Sequence, residues 1–369
     1  MHVVKATADQ KRKVYAYLDK RARMAGGPVF VKYLDLGTHV VRLINYSPAF
    51  TPHIEWQLAW SLRDNAPHYD STLVVWQERD IAEVSVALHA TFDMAKYRQL
   101  RLQRLTKPAA PVEDFAFLDD DILRFHPVVH AEPRAGVLLA WNPETKTHYY
   151  SLEKLEAEGI IKHGHIFVQT LSRILDTPTS NIGHGAVVGL DNRGVLFCSF
   201  GYCGKSTLSV DAMLSGFEYV SDDYLVLGKR DGVLRAWPIY SIITLSPAVY
   251  LAMHSRLKAE FVSNNARKDK YIFNISAYHD RFRSGYPIKV AMGLKFTQDA
   301  EPSIVPGGKE QAVQDLVMST LRQMGDSENV MQVGKMYSFV DDLPFYRFNL
   351  SRNIDKNVRC LREFLDVRK

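Results

Sequence analysis

The sequence is poor in cysteine, with only Cys198, Cys203 and Cys360 among 369 residues. Three thiols cannot build a disulfide framework, and so few of them suit a reducing, cytoplasmic setting. Cys198 and Cys203 lack a second pair of metal-ligand spacing and read as free thiols. No run of 18 apolar residues occurs, so no membrane-spanning helix is expected. The start, Met1-His2-Val3-Val4-Lys5, soon turns charged at Lys11-Arg12-Lys13 and has no apolar signal core. An excess of one charge sign is also lacking, with 46 Lys and Arg against 41 Asp and Glu. A net charge of +5 suits an anionic substrate or an acidic partner and gives no clear nucleic-acid signal. No Gly-x-Ser-x-Gly elbow is present, which removes the support for serine-hydrolase chemistry. Internal repeats and low-complexity tracts are absent too.

What remains is an ordinary globular composition, 46% hydrophobic and 24% charged, enough for a sizeable core. The fold class expected is α/β with α+β mixing, in two domains. Residues 1–150 read as a smaller, strand-rich region for recognition of an acceptor or partner. Residues 151–369 read as a second, larger domain of alternating strands and helices. A basic helix over Asp9–Met24 ends at Ala25-Gly26-Gly27-Pro28. Its cations Lys11, Arg12, Lys13, Lys20, Arg21 and Arg23 read as a solvated face. Hairpins are expected around Leu36-Gly37 and Asn142-Pro143-Glu144-Thr145, and a strand over Ser71–Trp76. In the second half, Ile166–Leu175 has helical spacing. Strands Ala186–Leu190 and Val195–Ser199 flank the turn Asp191-Asn192-Arg193-Gly194. Further strands are expected at Lys289–Phe296 and Phe345–Leu350, and a closing helix carries Ile354, Val358, Leu361 and Leu365.

The segment that carries chemistry follows Ser199: Phe200-Gly201-Tyr202-Cys203-Gly204-Lys205-Ser206-Thr207. Strand, glycine-permitted turn and helix start are what a phosphate loop requires. Glycine lets backbone N–H groups converge on phosphate oxygens, and the helix N-terminus adds donors and a favourable dipole. On this reading Gly201, Tyr202, Cys203, Gly204, Lys205, Ser206 and Thr207 bind nucleotide. Lys205 reaches the terminal phosphates and Ser206 ligates Mg²⁺. Ser199 stands where the motif has its first glycine. Downstream, the apolar run Phe217-Glu218-Tyr219-Val220 ends in Ser221-Asp222-Asp223. Paired carboxylates at the end of a neighbouring strand suit a Mg²⁺–nucleotide site, one for the metal shell and one as proton acceptor.

His184-Gly185-Ala186-Val187-Val188, the loop, and Gly216-Phe217-Glu218-Tyr219-Val220-Ser221-Asp222-Asp223 together resemble the HPr kinase/phosphorylase family in order and spacing. The motif-bearing match covers residues 184–227 and extends as a general pattern from about 160 to the C-terminus. The resemblance implies an HPr-kinase/PEP-carboxykinase-like P-loop kinase domain, ATP and Mg²⁺ as cofactors, and transfer to a serine. It also implies relatives that include kinases of peptide-maturation clusters, such as those acting on lasso peptide precursors. It makes Asp223 the proton acceptor, Asp222 and Ser206 the metal residues, Lys205 the β/γ-phosphate ligand, and His184 a catalytic histidine that steadies the phosphates or orients Asp223. Homo-oligomerisation is a further possibility, since HPr kinases are hexamers. The chain departs from the family in its glycine-poor loop and in Thr207, which replaces a Glu. A further metal-binding Glu has no counterpart in Ser241–Ala248, which places the phosphorylase activity outside the expectation. Acceptors other than a serine peptide, namely a small molecule, and a nucleotide-binding regulator without transfer activity stay open.

Several other groups lie outside these motifs. Lys268, Lys270, Arg281 and Arg283 are candidate cations for the moving phosphoryl charge. His126-x-x-x-His130 and His163-x-His165 have metal-like spacing without a third ligand and read as structural or exposed histidines. Tyr149, Tyr150, Phe345 and Tyr346 read as core.

Overall fold

The computed structural model describes residues 8–79, 81, 83–84, 116–118, 123–127, 136–153, 165–199, 201, 203–265, 270–324 and 330–367. Two compact units emerge. One comprises Met1–Leu34, Val40–Ile54 and Arg63–Ile161, and the other Asp35–His39, Glu55–Leu62 and Lys162–Lys369. Both mix helices with mixed sheets.

The first unit starts with helix α1 (Ala8–Met24), followed by β1 (Phe30–Asp35), β2 (Val40–Asn45), α2 (Thr51–Gln57), β3 (Leu62–Arg63) and β4 (Ser71–Gln77). Then come β5 (Ala116–Leu118), β6 (Leu123–Pro127), β7 (Gly136–Asn142) and β8 (Thr147–Leu152). The strands line up as β3-β1-β2-β4-β8-β7-β6-β5. β2, β4 and β8 run parallel, and β8 through β5 alternate in direction. The β7–β8 turn is held by Asn142, whose Oδ1 accepts the Glu144 N–H at 3.1 Å, the local bond that makes Asn a turn residue. Helix α1 buries Val14, Tyr15, Leu18 and Ala22 against a cluster that includes Val74, Trp76 and Tyr149. Arg21 corrects the reading of a wholly solvated basic face. Its guanidinium donates Nε to Glu78 Oε2 at 3.1 Å and Nη2 to Glu78 Oε1 at 2.5 Å, and a further bond reaches Glu83.

The second unit holds α3 (Val168–Leu175), β9 (Ser180–His184), β10 (Ala186–Leu190), β11 (Arg193–Phe197), α4 (Lys205–Leu214), β12 (Glu218–Ser221), β13 (Tyr224–Arg230) and β14 (Val233–Pro238). It continues with β15 (Ile242–Leu245), α5 (Pro247–Met253), β16 (Glu260–Asn265), β17 (Lys270–Asn274), β18 (Tyr286–Phe296), β19 (Ser303–Pro306), α6 (Lys309–Met324), α7 (Val330–Val340), β20 (Phe345–Leu350) and α8 (Ile354–Asp366). The main sheet has the order β12-β10-β11-β18-β14-β13-β9, with β20 joined to β18 and β19. Asp191 and Asn192 both take positive φ, +49° and +61°, which closes β10 on β11 as a two-residue hairpin.

Side chains alternate across this sheet. Ala186, Val188, Val195 and Phe197 face α4 and α8, while Val187, Leu196 and Cys198 face α6 and α7. Burial on both faces explains why β10 and β11 are nearly continuous apolar runs. Phe345 and Tyr346, expected in the core, are only half-buried. β20 is flanked by β18 and β19, and these two rings pack against the margins of the clusters on either face.

The order places the site. β12 and β11 each run antiparallel to β10, so they run parallel to one another. Ser221 sits opposite Val187 and Phe197 opposite Ala186. The exits of β11 and β12 and the entry of β10 therefore meet at one sheet edge. The acidic strand is not the immediate neighbour of the loop strand, as expected from sequence, because β10 lies between them. Among the described residues no helix is long and apolar enough to cross a membrane.

Candidate functional site

The loop leaves β11 at Cys198 and enters α4 at Lys205. Phe200 and Tyr202 lie outside the described residues. Gly204 has φ +92°, and a Cβ there would stand 2.9 Å from Phe296 Cζ. Both backbone sign and space demand glycine at that position. Gly201 carries no such demand, since nothing lies within 4 Å of its would-be Cβ. Ser199, in place of the motif's first glycine, has a structural use. Its buried hydroxyl accepts the Leu294 N–H at 2.7 Å and pins the loop to β18.

Lys205 is only 7% exposed, and its Nζ donates to the Ser199 carbonyl at 2.5 Å. Burial lowers its pKa, and the charge of Asp223 is the largest influence in the opposite direction. Ser206 and Thr207 follow, half-buried, on the first helical turn, where amide groups have no partner within the helix.

The carboxylates sit just beyond β12. Asp222 is buried at 3% exposure, and its Oδ1 accepts the Tyr219 hydroxyl at 3.1 Å. Burial pushes its carboxyl up to about 7, and repulsion from Asp223 adds to the rise; Ser206, Lys270 and Tyr219 pull the other way. Its Oδ2 is buried with no hydrogen-bond partner among the described residues.

Asp223 is held from two sides. Oδ1 lies 2.8 Å from His184 Nε2, and Oδ2 lies 3.3 Å from His165 Nε2. The backbone arranges the first contact, because the Gly185 N–H donates to the Asp223 carbonyl at 2.8 Å and Tyr224 pairs with His184 across β13 and β9. His184 is anchored in turn from α6, where Thr320 Oγ1 accepts its N–H at 2.9 Å. The His165 ring packs edge-on to Tyr224 and Tyr240, with centroids 4.7 and 4.9 Å away. The Tyr240 hydroxyl donates to the Ile166 carbonyl at 2.8 Å and steadies that turn.

His184, Lys205, Ser206, Asp222 and Asp223 thus gather at one edge, with Gly201, Cys203, Gly204 and Thr207 on the same loop and helix start. His165 joins them through its contact with Asp223. Its spacing to His163, which lies outside the described residues, gave no sign of that partner. His126 falls in β6 and His130 outside the described residues. No cluster of three His, Cys, Asp or Glu side chains suited to a metal occurs among the described residues.

Of the candidate cations, Lys270 acts on both Asp222 and Lys205 through its charge. Arg281 is engaged with Gly216 and Asp280, and Arg283 with Glu218 at 2.7 Å. Lys268 lies outside the described residues. Asp315 on α6 is a further acid whose charge reaches Lys205, unannounced by any sequence motif.

The groups that could hold a metal and a phosphate here are a buried carboxylate oxygen without a partner among the described residues, a hydroxyl that favours the charged form of that carboxylate, and a buried lysine; together they would supply hard oxygen ligands and a cation.

No protein-family model matches the sequence, and no curated protein does. Among solved structures, the HPr(Ser) kinase/phosphatase from Coxiella burnetii is 11% identical with a TM-score of 0.26, over 51% of this chain and 89% of that one. A likeness of that size leaves family and activity to be argued from the site.

Proposed function

We propose that the protein is an ATP- and Mg²⁺-dependent phosphotransferase that moves the γ-phosphoryl group to a hydroxyl, foremost a serine of a peptide or protein. The observation that carries the reading is the meeting of four chain segments at one end of the sheet: a buried lysine at a helix start, two adjacent carboxylates, of which one has a buried oxygen without a partner among the described residues, and two imidazoles from separate segments that flank the other carboxylate.

In this reading the amides of residues 204–207 and the Lys205 ammonium hold the phosphates. Ser206 and Asp222 would hold Mg²⁺, which neutralises charge on the transferring group when bound. Asp223 accepts the proton of the attacking hydroxyl as its oxygen bonds to the γ-phosphorus and the bond to the bridging oxygen breaks, leaving ADP. His184 and His165 hold that carboxylate in place and share the proton's charge. Lys270 adds a cation beside the site.

Incubation with γ-labelled ATP, Mg²⁺ and serine peptides should yield labelled peptide, and Asp223→Asn should lower the yield by about a hundredfold or more. Label appearing only in a metabolite replaces the acceptor with a small molecule. Tight nucleotide binding without turnover, unchanged by Asp223→Asn, overturns the transfer reading and leaves a nucleotide-binding regulator. The absence of any carboxylate from the buried strand β15 is the observation on that side.

A further inference from the structure

Beside the first turn of α4 lies a cavity of about 230 Å³ that the reaction described above does not use. Gly204 and Thr207 form one wall and so belong to both the loop and the cavity. The apolar lining comes from Val249 on α5, Phe296 at the end of β18, and Leu350 at the end of β20. Phe296 stands out. Its ring lies against the Gly204 backbone, yet half of the side chain, 51%, is exposed. An aromatic face left open next to a phosphate loop is a stacking platform for a planar ring.

The largest polar side chains that line the cavity, Asn357 and Arg352, are engaged elsewhere. Asn357 uses both ends of its amide on Ser351, accepting its N–H at 2.9 Å and donating to its carbonyl at 3.0 Å. Arg352 donates to Gln298 at 2.9 Å. The size is below the roughly 300–1,000 Å³ of sites that enclose a drug-sized ligand. It suits one ring system, with the rest of the ligand outside.

We propose that this cavity takes the nucleobase of the nucleotide whose phosphates lie on the loop, gripping a purine through Phe296, Val249 and Leu350 without a dedicated hydrogen bond to the base edge. The inference rests on the reading of the loop as a phosphate site. Shared residues Gly204 and Thr207 make the two regions continuous, so one molecule can span them. Apolar pockets separate similar ligands weakly, by about ten- to two-hundredfold, whereas sites that hydrogen-bond a defining group reject its analogues by about four to five powers of ten. ATP and GTP should therefore bind alike.

The test is calorimetric titration of the full-length chain with MgATP, MgGTP and magnesium tripolyphosphate. In the wild type, MgATP should bind about ten- to hundredfold more tightly than tripolyphosphate, the contribution of one stacked base, and MgGTP should fall within about tenfold of MgATP. Phe296→Ala should remove most of the ATP advantage while tripolyphosphate affinity holds, which also reports an intact fold. Val249→Trp, which fills the cavity, should do the same. Equal binding of MgATP and tripolyphosphate overturns this inference alone, as does equal weakening of both by either variant. Rejection of GTP by about a thousandfold or more overturns it too, by demanding a hydrogen-bonding pocket. Failure of all three ligands to bind removes the phosphate reading of the loop and this inference with it.

Discussion

His165 Nε2 lies 3.3 Å from Asp223 Oδ2, across the carboxylate from His184 at 2.8 Å. Two imidazoles on one carboxylate fix its direction. A group so placed is oriented before any substrate arrives, as a general base must be. His165→Phe should lower kcat by about tenfold or more while leaving nucleotide affinity unchanged, and Asp223→Asn should cost about a hundred- to ten-thousandfold. Steady-state kinetics beside a separate nucleotide titration would decide it. Loss of affinity in place of turnover would make His165 a packing residue.

The buried ammonium of Lys205 makes a separate prediction. Lys205→Met keeps the stem and removes the charge. Nucleotide affinity should fall about ten- to hundredfold, the value of a charge-assisted bond to phosphate. The pKa of Lys205 is depressed by burial, so the charged side chain opposes folding at neutral pH. The variant should melt at the same temperature as the wild type or above it. A lower melting temperature together with unchanged affinity would contradict both halves.

Asp222 predicts a pH dependence of stability. Its carboxyl is pushed up to about 7 in the folded protein from an ordinary value of 3.8. The folded state therefore holds the proton more tightly than the unfolded chain, and stability falls as pH rises from about 4 through 7. Asp222→Asn has no such proton to lose. Metal-free melting curves of the variant and wild type should diverge in the variant's favour between pH 5 and 8, by no more than about 4 kcal/mol at about 1.4 kcal/mol per unit. Parallel curves would show that the side chain is solvated.

The thiols give a chemical readout. Cys198 is fully buried and its thiol is raised to about 12; Cys203, on the loop, is half-buried and raised less. Iodoacetamide followed by mass spectrometry should leave Cys198 unmodified in the native protein and label Cys203 slowly at pH 7 and faster at pH 9. Saturating MgATP should suppress the Cys203 product. Unchanged labelling with nucleotide bound would place the ligand away from the loop.

Much of this arrangement was legible in the sequence because it is local. A strand, a turn with Gly204, and a helix beginning at Lys205 are fixed by neighbours within a few residues. Asp222-Asp223 at a strand end is likewise local. The placement of β10 between β11 and β12 was not legible, because pairing order depends on contacts far apart in the chain. His165 escaped for the same reason. It reaches Asp223 only because the turn into α3, tied to Tyr240, is brought up to the sheet edge, and nothing within ten residues of it announces the partner. Arg21 looked like one more surface cation until its two-pronged grip on Glu78, set by the distance between α1 and the end of β4, came into view. In each case the residue type was read correctly and its company was not.

The intervening strand β10 also works as a ruler. Two steps across a sheet separate the ends of β11 and β12 by about 10 Å, from strand spacings near 4.8 Å. In the reading proposed above, that gap is the width a chain of phosphates would cross from the loop towards the acid pair. The register slip between Val187 and Val188, where β10 meets β12, sets a second distance, how far along the strand direction the acid pair stands. A lengthened or shortened bulge there would move Asp222 and Asp223 along that direction without touching the loop, so reach and grip can vary separately in chains built on the same plan.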